Sequence, residues 1–193
     1  YNNSVTATSE GAKAYGGAIY NTALINLVAE TKDINFYNNT ANGSYNDVYQ
    51  EGSSYANSTL ALNAASGQKI TFNGTIEGGK YEYGDYYGDI KINNPTLTYY
   101  TDGNAINVTR PTGGQYIFNN KISGNNIYLY NGANVVLGTA TQADSSTTYG
   151  WIDNTDIDGI LTNDANGGAI NQINSHIDSN KIGIYLINRS EEH

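Results

Sequence analysis

Apolar and polar residues alternate singly along this chain, and they do so in short runs. Ile70-Thr71-Phe72-Asn73 and Ile90-Lys91-Ile92-Asn93 place apolar side chains on one face and polar ones on the other. That period of two marks a half-buried strand. No apolar stripe recurs at spacings of three and four, and Asn, Gly and Thr interrupt every window long enough for a helix. Strands are predicted over residues 23–28, 34–37, 59–62, 69–72, 89–92, 105–108, 115–118, 126–130, 135–137, 169–173 and 182–187. Asn-Gly, Gly-Gly, Ser-Gly or Asn-Asn bounds most of them, all of which favour turns. The chain is expected to be all-β.

Short strands and recurring turn words favour a solenoid. Asn-Gly returns at Asn42-Gly43, Asn73-Gly74, Asn131-Gly132 and Asn166-Gly167, and Gly16-Gly17-Ala18-Ile19 returns as Gly167-Gly168-Ala169-Ile170. Stacked coils would bury one continuous apolar column and line up Asn side chains at the corners. Phe36-Tyr37-Asn38-Asn39 fits this, with one large apolar residue inside and an amide three residues later. The expected fold is therefore a parallel β-helix with loop excursions; a β-sandwich, whose strands also recur every ~8–12 residues, is the alternative. The acidic, aromatic run within residues 80–100 and the Ser/Thr-rich run at 139–150 read as excursions from one continuous domain over 1–193.

Composition narrows the function classes. A net charge of −9 with nine Lys plus Arg argues against nucleic acid and against attachment to anionic lipid. The absence of Cys excludes disulfides, thiol catalysis and Cys-ligated zinc. No run approaches the ~18 apolar residues of a membrane helix. A chain that begins with Tyr1 and contains no Met is expected to be a processed product or a fragment.

The pairing of Gly-Gly-Ala-Ile with Phe-x-x-Asn resembles the repeats of polymorphic outer-membrane proteins, within the wider group of type V autotransporter passengers and adhesin-like surface proteins. Residues 34–41, 70–74, 117–120, 131–138 and 173–180 have the same character, with Ile177 and Asn180 standing where the family has Phe and Asn. The pair of motifs is complete once. The resemblance implies a right-handed parallel β-helix, a segment of a longer secreted passenger at the bacterial cell surface. It would be tethered to the outer membrane through a region absent from this chain. It also implies a non-catalytic role in contact with a host or neighbouring-cell surface protein or glycan, or with matrix.

Candidate chemistry is sparse. Tyr81, Tyr83, Tyr86 and Tyr87, with Tyr99 and Tyr100, form the candidate binding cluster. A tyrosine offers a flat apolar face and a hydroxyl at low entropic cost, which suits sugar stacking and protein hot spots. The bland alternative is that Tyr fills strand positions in a chain with three Phe and no Met. β-Helices also host lyases and glycosidases built on clustered carboxylates, so Asp153, Asp156 and Asp158 make a carbohydrate-active enzyme the alternative function. No Lys, Arg or His accompanies them in sequence, and a solvated turn explains them better. Asn154, Asp156, Asp158 and Gly159 fit the early positions of a calcium loop, but Ala165 stands where a bidentate Glu is required. His176 and His193 do not suffice for zinc, Trp151 is expected to pack against a solenoid end or a loop, and the Thr-x-Thr pairs are too irregular for an ice-binding array. No phosphate loop, dinucleotide fingerprint or nucleophile elbow is present, so no cofactor and no metal are expected.

Overall fold

The computed structural model describes residues 1–9, 12–53, 58–84, 86, 88–123, 126–130, 133–153, 159–162 and 169–173. Among these it is all-β and contains no helix. Strand β1 (Ser4–Val5) is followed by strands that come in threes. The first triplet is β2 (Ile19–Asn21), β3 (Leu24–Ala29) and β4 (Ile34–Phe36). A short β5 (Thr40–Ala41) leads into β6 (Ser44–Glu51), β7 (Ser58–Ala64) and β8 (Lys69–Phe72). The third triplet, β9 (Thr75–Gly79), β10 (Gly88–Ile92) and β13 (Gln115–Phe118), is interrupted by a hairpin of β11 (Thr96–Thr101) and β12 (Asn104–Thr109). Then come β14 (Lys121–Ser123), β15 (Asn126–Leu129) and β16 (Asn134–Leu137). A second hairpin, β17 (Thr139–Thr141) and β18 (Thr147–Tyr149), precedes β19 (Trp151–Asp153), β20 (Gly159–Thr162) and β21 (Ala169–Ile173).

Equivalent members of the triplets pair in parallel. The first members form the order β2-β6-β9-β14-β19, the second β3-β7-β10-β15-β20, and the third β4-β8-β13-β16-β21. β1 and β5 extend the first of these sheets, and β5–β6, β11–β12 and β17–β18 are antiparallel ladders between sequence neighbours. The predicted strand at 182–187 lies outside the described residues.

Register turns the period-two pattern into columns. Ile19, Val48, Ile76, Ile122 and Ile152 stand opposite one another on the first sheet. Ile25, Leu60, Ile90 and Ile127 do so on the second, and Ile34, Ile70, Tyr116 and Val135 on the third. All belong to one hydrophobic cluster, in which Leu60, Ile70, Ile76 and Ile90 are fully buried. Each such side chain contributes roughly 1.5–3 kcal/mol by leaving water. Phe36, Phe72 and Phe118 stack in the same way, with centroids 4.8 and 5.8 Å apart and rings within 10° of parallel.

Polar side chains hold the corners between sheets. Asp47 is the extra residue where the β6–β9 register shifts between Asn46 and Val48, and it is fully buried. Its Oδ1 accepts from Asn39 Nδ2 at 2.7 Å and its Oδ2 from the Gly74 amide at 2.7 Å. Asn39, the amide of the Phe-x-x-Asn run, also accepts from the Asn3 side chain at 3.0 Å. The Gly-Gly-Ala-Ile run meets this corner: the Gly17 amide donates to Asn46 Oδ1 at 3.2 Å, and a Cβ on Gly17 would overlap the Asn46 carbonyl oxygen. The two sequence words thus interlock at one corner, glycine supplying the close approach and asparagine the hydrogen bonds. An Asn119–Asn73 side-chain bond of 2.8 Å links successive corners of the third sheet.

Candidate functional site

The outward positions of β2 and β6 carry an aromatic ladder. Tyr20 follows the inward Ile19 and Tyr49 follows the inward Val48, so the parallel register sets the two rings side by side. Their centroids are 5.7 Å apart and their planes differ by 2°. Tyr15 stacks on Tyr49 at 4.2 Å. The Tyr20 hydroxyl donates to Glu51 Oε2. Burial first, and then the accepting Glu51 carboxylate, push the Tyr20 hydroxyl up to about 12. Tyr49 is raised further, chiefly by burial and then by the neighbouring Tyr15, Glu51 and Glu77. Both hydroxyls therefore remain neutral hydrogen-bonding groups at any physiological pH.

Beside this ladder lies the loop after β9, where the Tyr81 amide donates to the Tyr86 carbonyl at 2.8 Å. Tyr81 and Tyr83 meet edge to face at 5.8 Å, and Tyr83 is 80% exposed. Three adjoining cavities follow. The first, of about 520 Å³, is lined by Lys13, Tyr15, Tyr49, Glu51, Lys80 and Glu82. The second, of about 320 Å³, shares Glu51 and Glu82 and adds Tyr20, Tyr81 and Tyr83. The third, of about 550 Å³, shares Thr22 and Ser53 with the second and runs between Leu24, Thr59 and Lys91 on the outer face of the second sheet and Leu97 and Tyr99 on the hairpin. Shared walls make them one groove across the corner between the first two sheets. At its hairpin end, Asn63 Nδ2 donates to the Asn94 carbonyl at 2.7 Å, which ties the hairpin base to β7.

The stretch 80–100, read from sequence as one aromatic excursion, is thus three pieces: a loop, the stacked strand β10, and the start of the β11–β12 hairpin. Tyr81, Tyr83 and Tyr99 line the groove. Tyr100, 73% exposed, sits on the opposite face of the hairpin ladder from Tyr99 and lines none of the three cavities. Tyr86 is exposed and outside them as well, and Tyr87 lies outside the described residues. Sequence reasoning missed Tyr15, Tyr20, Tyr49 and Glu51. The signal that could have found Tyr20 and Tyr49 was their common place directly after an inward aliphatic residue. The loop at 139–150 is the β17–β18 hairpin, and Trp151 lines a shallow cavity with Tyr149 at its foot.

Of the acidic run, Asp153 ends β19, opposite Ser123 of β14, while Asn154, Asp156 and Asp158 lie outside the described residues, as do His176 and His193. Among the described residues no group of His, Asp and Glu is placed to hold a metal ion. Comparison with family models, with curated protein sequences and with solved structures found no match for this chain.

Proposed function

We propose that the chain is a right-handed, three-sided parallel β-helix that serves as a non-catalytic, adhesin-like segment of a type V autotransporter passenger. In this reading it stands at the bacterial cell surface and contacts host cells, matrix or neighbouring cells. The observation that supports it is the register: each triplet lies over the one before, strand upon equivalent strand, with inward apolar columns running up every sheet. Parallel strands joined by crossovers are right-handed in nearly all proteins, which gives the hand. Two face-to-face antiparallel sheets would instead pair sequence neighbours within each sheet.

A stack of this kind is stiff because every interior rung is bonded above and below, and it leaves the outer positions free to carry recognition groups. Here those positions carry the Tyr15–Tyr49–Tyr20 ladder and the Tyr81–Tyr83 loop. The chain, immobilised and tested against mammalian cells, matrix proteins and an array of surface glycans, is expected to retain at least one of them saturably. Antibodies against it are expected to label the intact cells that produce it. Absence of both retention and labelling overturns the reading.

A further inference from the structure

We propose that the groove over the corner of the first and second sheets binds an extended, uncharged oligosaccharide. This deepens the adhesive reading and rests on it. The shape comes first. Three cavities in a row, joined through Glu51 and Glu82 and then through Thr22 and Ser53, suit a chain of repeating units better than a single compact ligand. The lining is of the kind that sugars require. Tyr83, 80% exposed, and Tyr20, 52% exposed, offer ring faces and edges to the apolar C–H faces of pyranose rings. Glu51 and Glu82 accept from vicinal hydroxyls, and neutral tyrosine hydroxyls complete the polar set.

Charge selects within the sugars. Lysines stand at the two ends of the groove, Lys13 and Lys80 at one and Lys91 at the other, and the two glutamates lie between them. A polyanion meets the central carboxylates and a molecule of net charge −9. A polycation meets lysines at both ends. An uncharged chain meets neither penalty. An extended peptide is less well served, because it gains most from a free sheet edge. Most of the groove floor has none to give: β6 is paired with β2 and β9, and β7 with β3 and β10, and only β2 and β3, which bring Tyr20 and Leu24, have a described partner on one side alone.

The test uses the full chain in calorimetry and amide chemical-shift titrations. The probes are uncharged hexasaccharides with gluco-, manno-, xylo- and N-acetylglucosamine backbones, the matching disaccharides, a hexauronate and a random peptide library. At least one uncharged hexasaccharide is expected to bind at least about tenfold more tightly than its disaccharide, with shifts along the groove. Tyr83→Ala and Tyr20→Ala are each expected to weaken it about tenfold, the loss typical of an aromatic anchor, while Tyr100→Ala leaves it unchanged. Tyr83 is exposed enough that its replacement leaves the fold intact, which an unchanged melting midpoint verifies. Three results overturn the proposal: no binding by any hexasaccharide, binding that ignores both substitutions, or preference for the hexauronate. Peptides bound through Tyr20 and Tyr83 in place of sugars overturn the sugar assignment and leave the adhesive reading standing. That reading fails separately, if no cell, matrix protein or glycan is retained and intact cells are unlabelled.

Discussion

Asp47 and Tyr116 are buried ionisable side chains that hold polar corners through their hydrogen bonds. Burial is the largest influence on Asp47 and raises its pKa above the ordinary value of 3.8, although bonds from Asn39 and from the Gly74 and Asn73 amides pull it back. The folded chain therefore keeps this proton to a higher pH than the unfolded chain does. Its contribution to stability is full below the ordinary carboxylate value and is lost as pH rises through the raised one. Urea midpoints compared across the weakly acidic range should show wild type losing ground to Asp47→Asn as pH rises. A difference between the two that stays constant with pH would contradict this. Tyr116 is fully buried; its hydroxyl accepts from the Ala64 amide and donates to Asn93 Oδ1, each at 2.9 Å. Tyr116→Phe leaves both groups without that partner and is expected to cost about 1–3 kcal/mol in chemical denaturation. Burial also pushes the hydroxyl up to about 12. Wild type should therefore lose stability above pH ~10, where the unfolded tyrosine ionises first, and Tyr116→Phe should lose less.

At the scale of the strand, the Phe36–Phe72–Phe118 column is the most exposed to a single change, because Phe72 touches a ring on either side. Phe72→Ala is expected to cost about 3–5 kcal/mol by equilibrium unfolding, and Phe72→Leu distinctly less. Gly88 opens β10 against the Gln50 carbonyl, where an added Cβ would overlap the oxygen. Gly88→Ala should therefore destabilise the chain, whereas Gly43→Ala, with open space around it but a φ of 77°, should register only the backbone term of ~1 kcal/mol. Expected strands at 34–37, 69–72, 89–92, 115–118 and 135–137 correspond to β4, β8, β10, β13 and β16, whose two alternating inward residues are visible in sequence. The first sheet was not legible. β2, β6, β9, β14 and β19 each bring one aliphatic residue to the core cluster, Ile19, Val48, Ile76, Ile122 and Ile152, set among polar, glycine and aromatic residues. One inward residue has no period to detect.

At the scale of the whole molecule, the partners across a ladder lie at unequal distances along the chain. Tyr116 pairs with Val135, with only β14 and β15 between them, but also with Ile70, across β9, β10 and the whole β11–β12 hairpin. Such inserted hairpins hide the period from any search for repeats, so a ragged pattern of turn words was all that the residues displayed. The site was hidden for the same reason. Tyr81, Tyr83 and Tyr99 stand in one aromatic stretch, but Tyr15, Tyr20, Tyr49 and Glu51 reach them only through the register of β2 on β6. In the first triplet Ile25, Leu27, Ile34 and Phe36 are partly buried, since β3 and β4 have a described neighbour on one side alone. The central claim, that equivalent strands lie on one another on three faces, is tested most directly by cross-strand nuclear Overhauser effects in isotope-labelled protein. The account predicts parallel-type contacts from Tyr49 to Tyr20 and Glu77, from Lys91 to Ala61 and Tyr128, and from Thr71 to Asn35 and Ile117. Antiparallel contacts joining consecutive strands instead, such as β7 with β8 or β9 with β10, would contradict it.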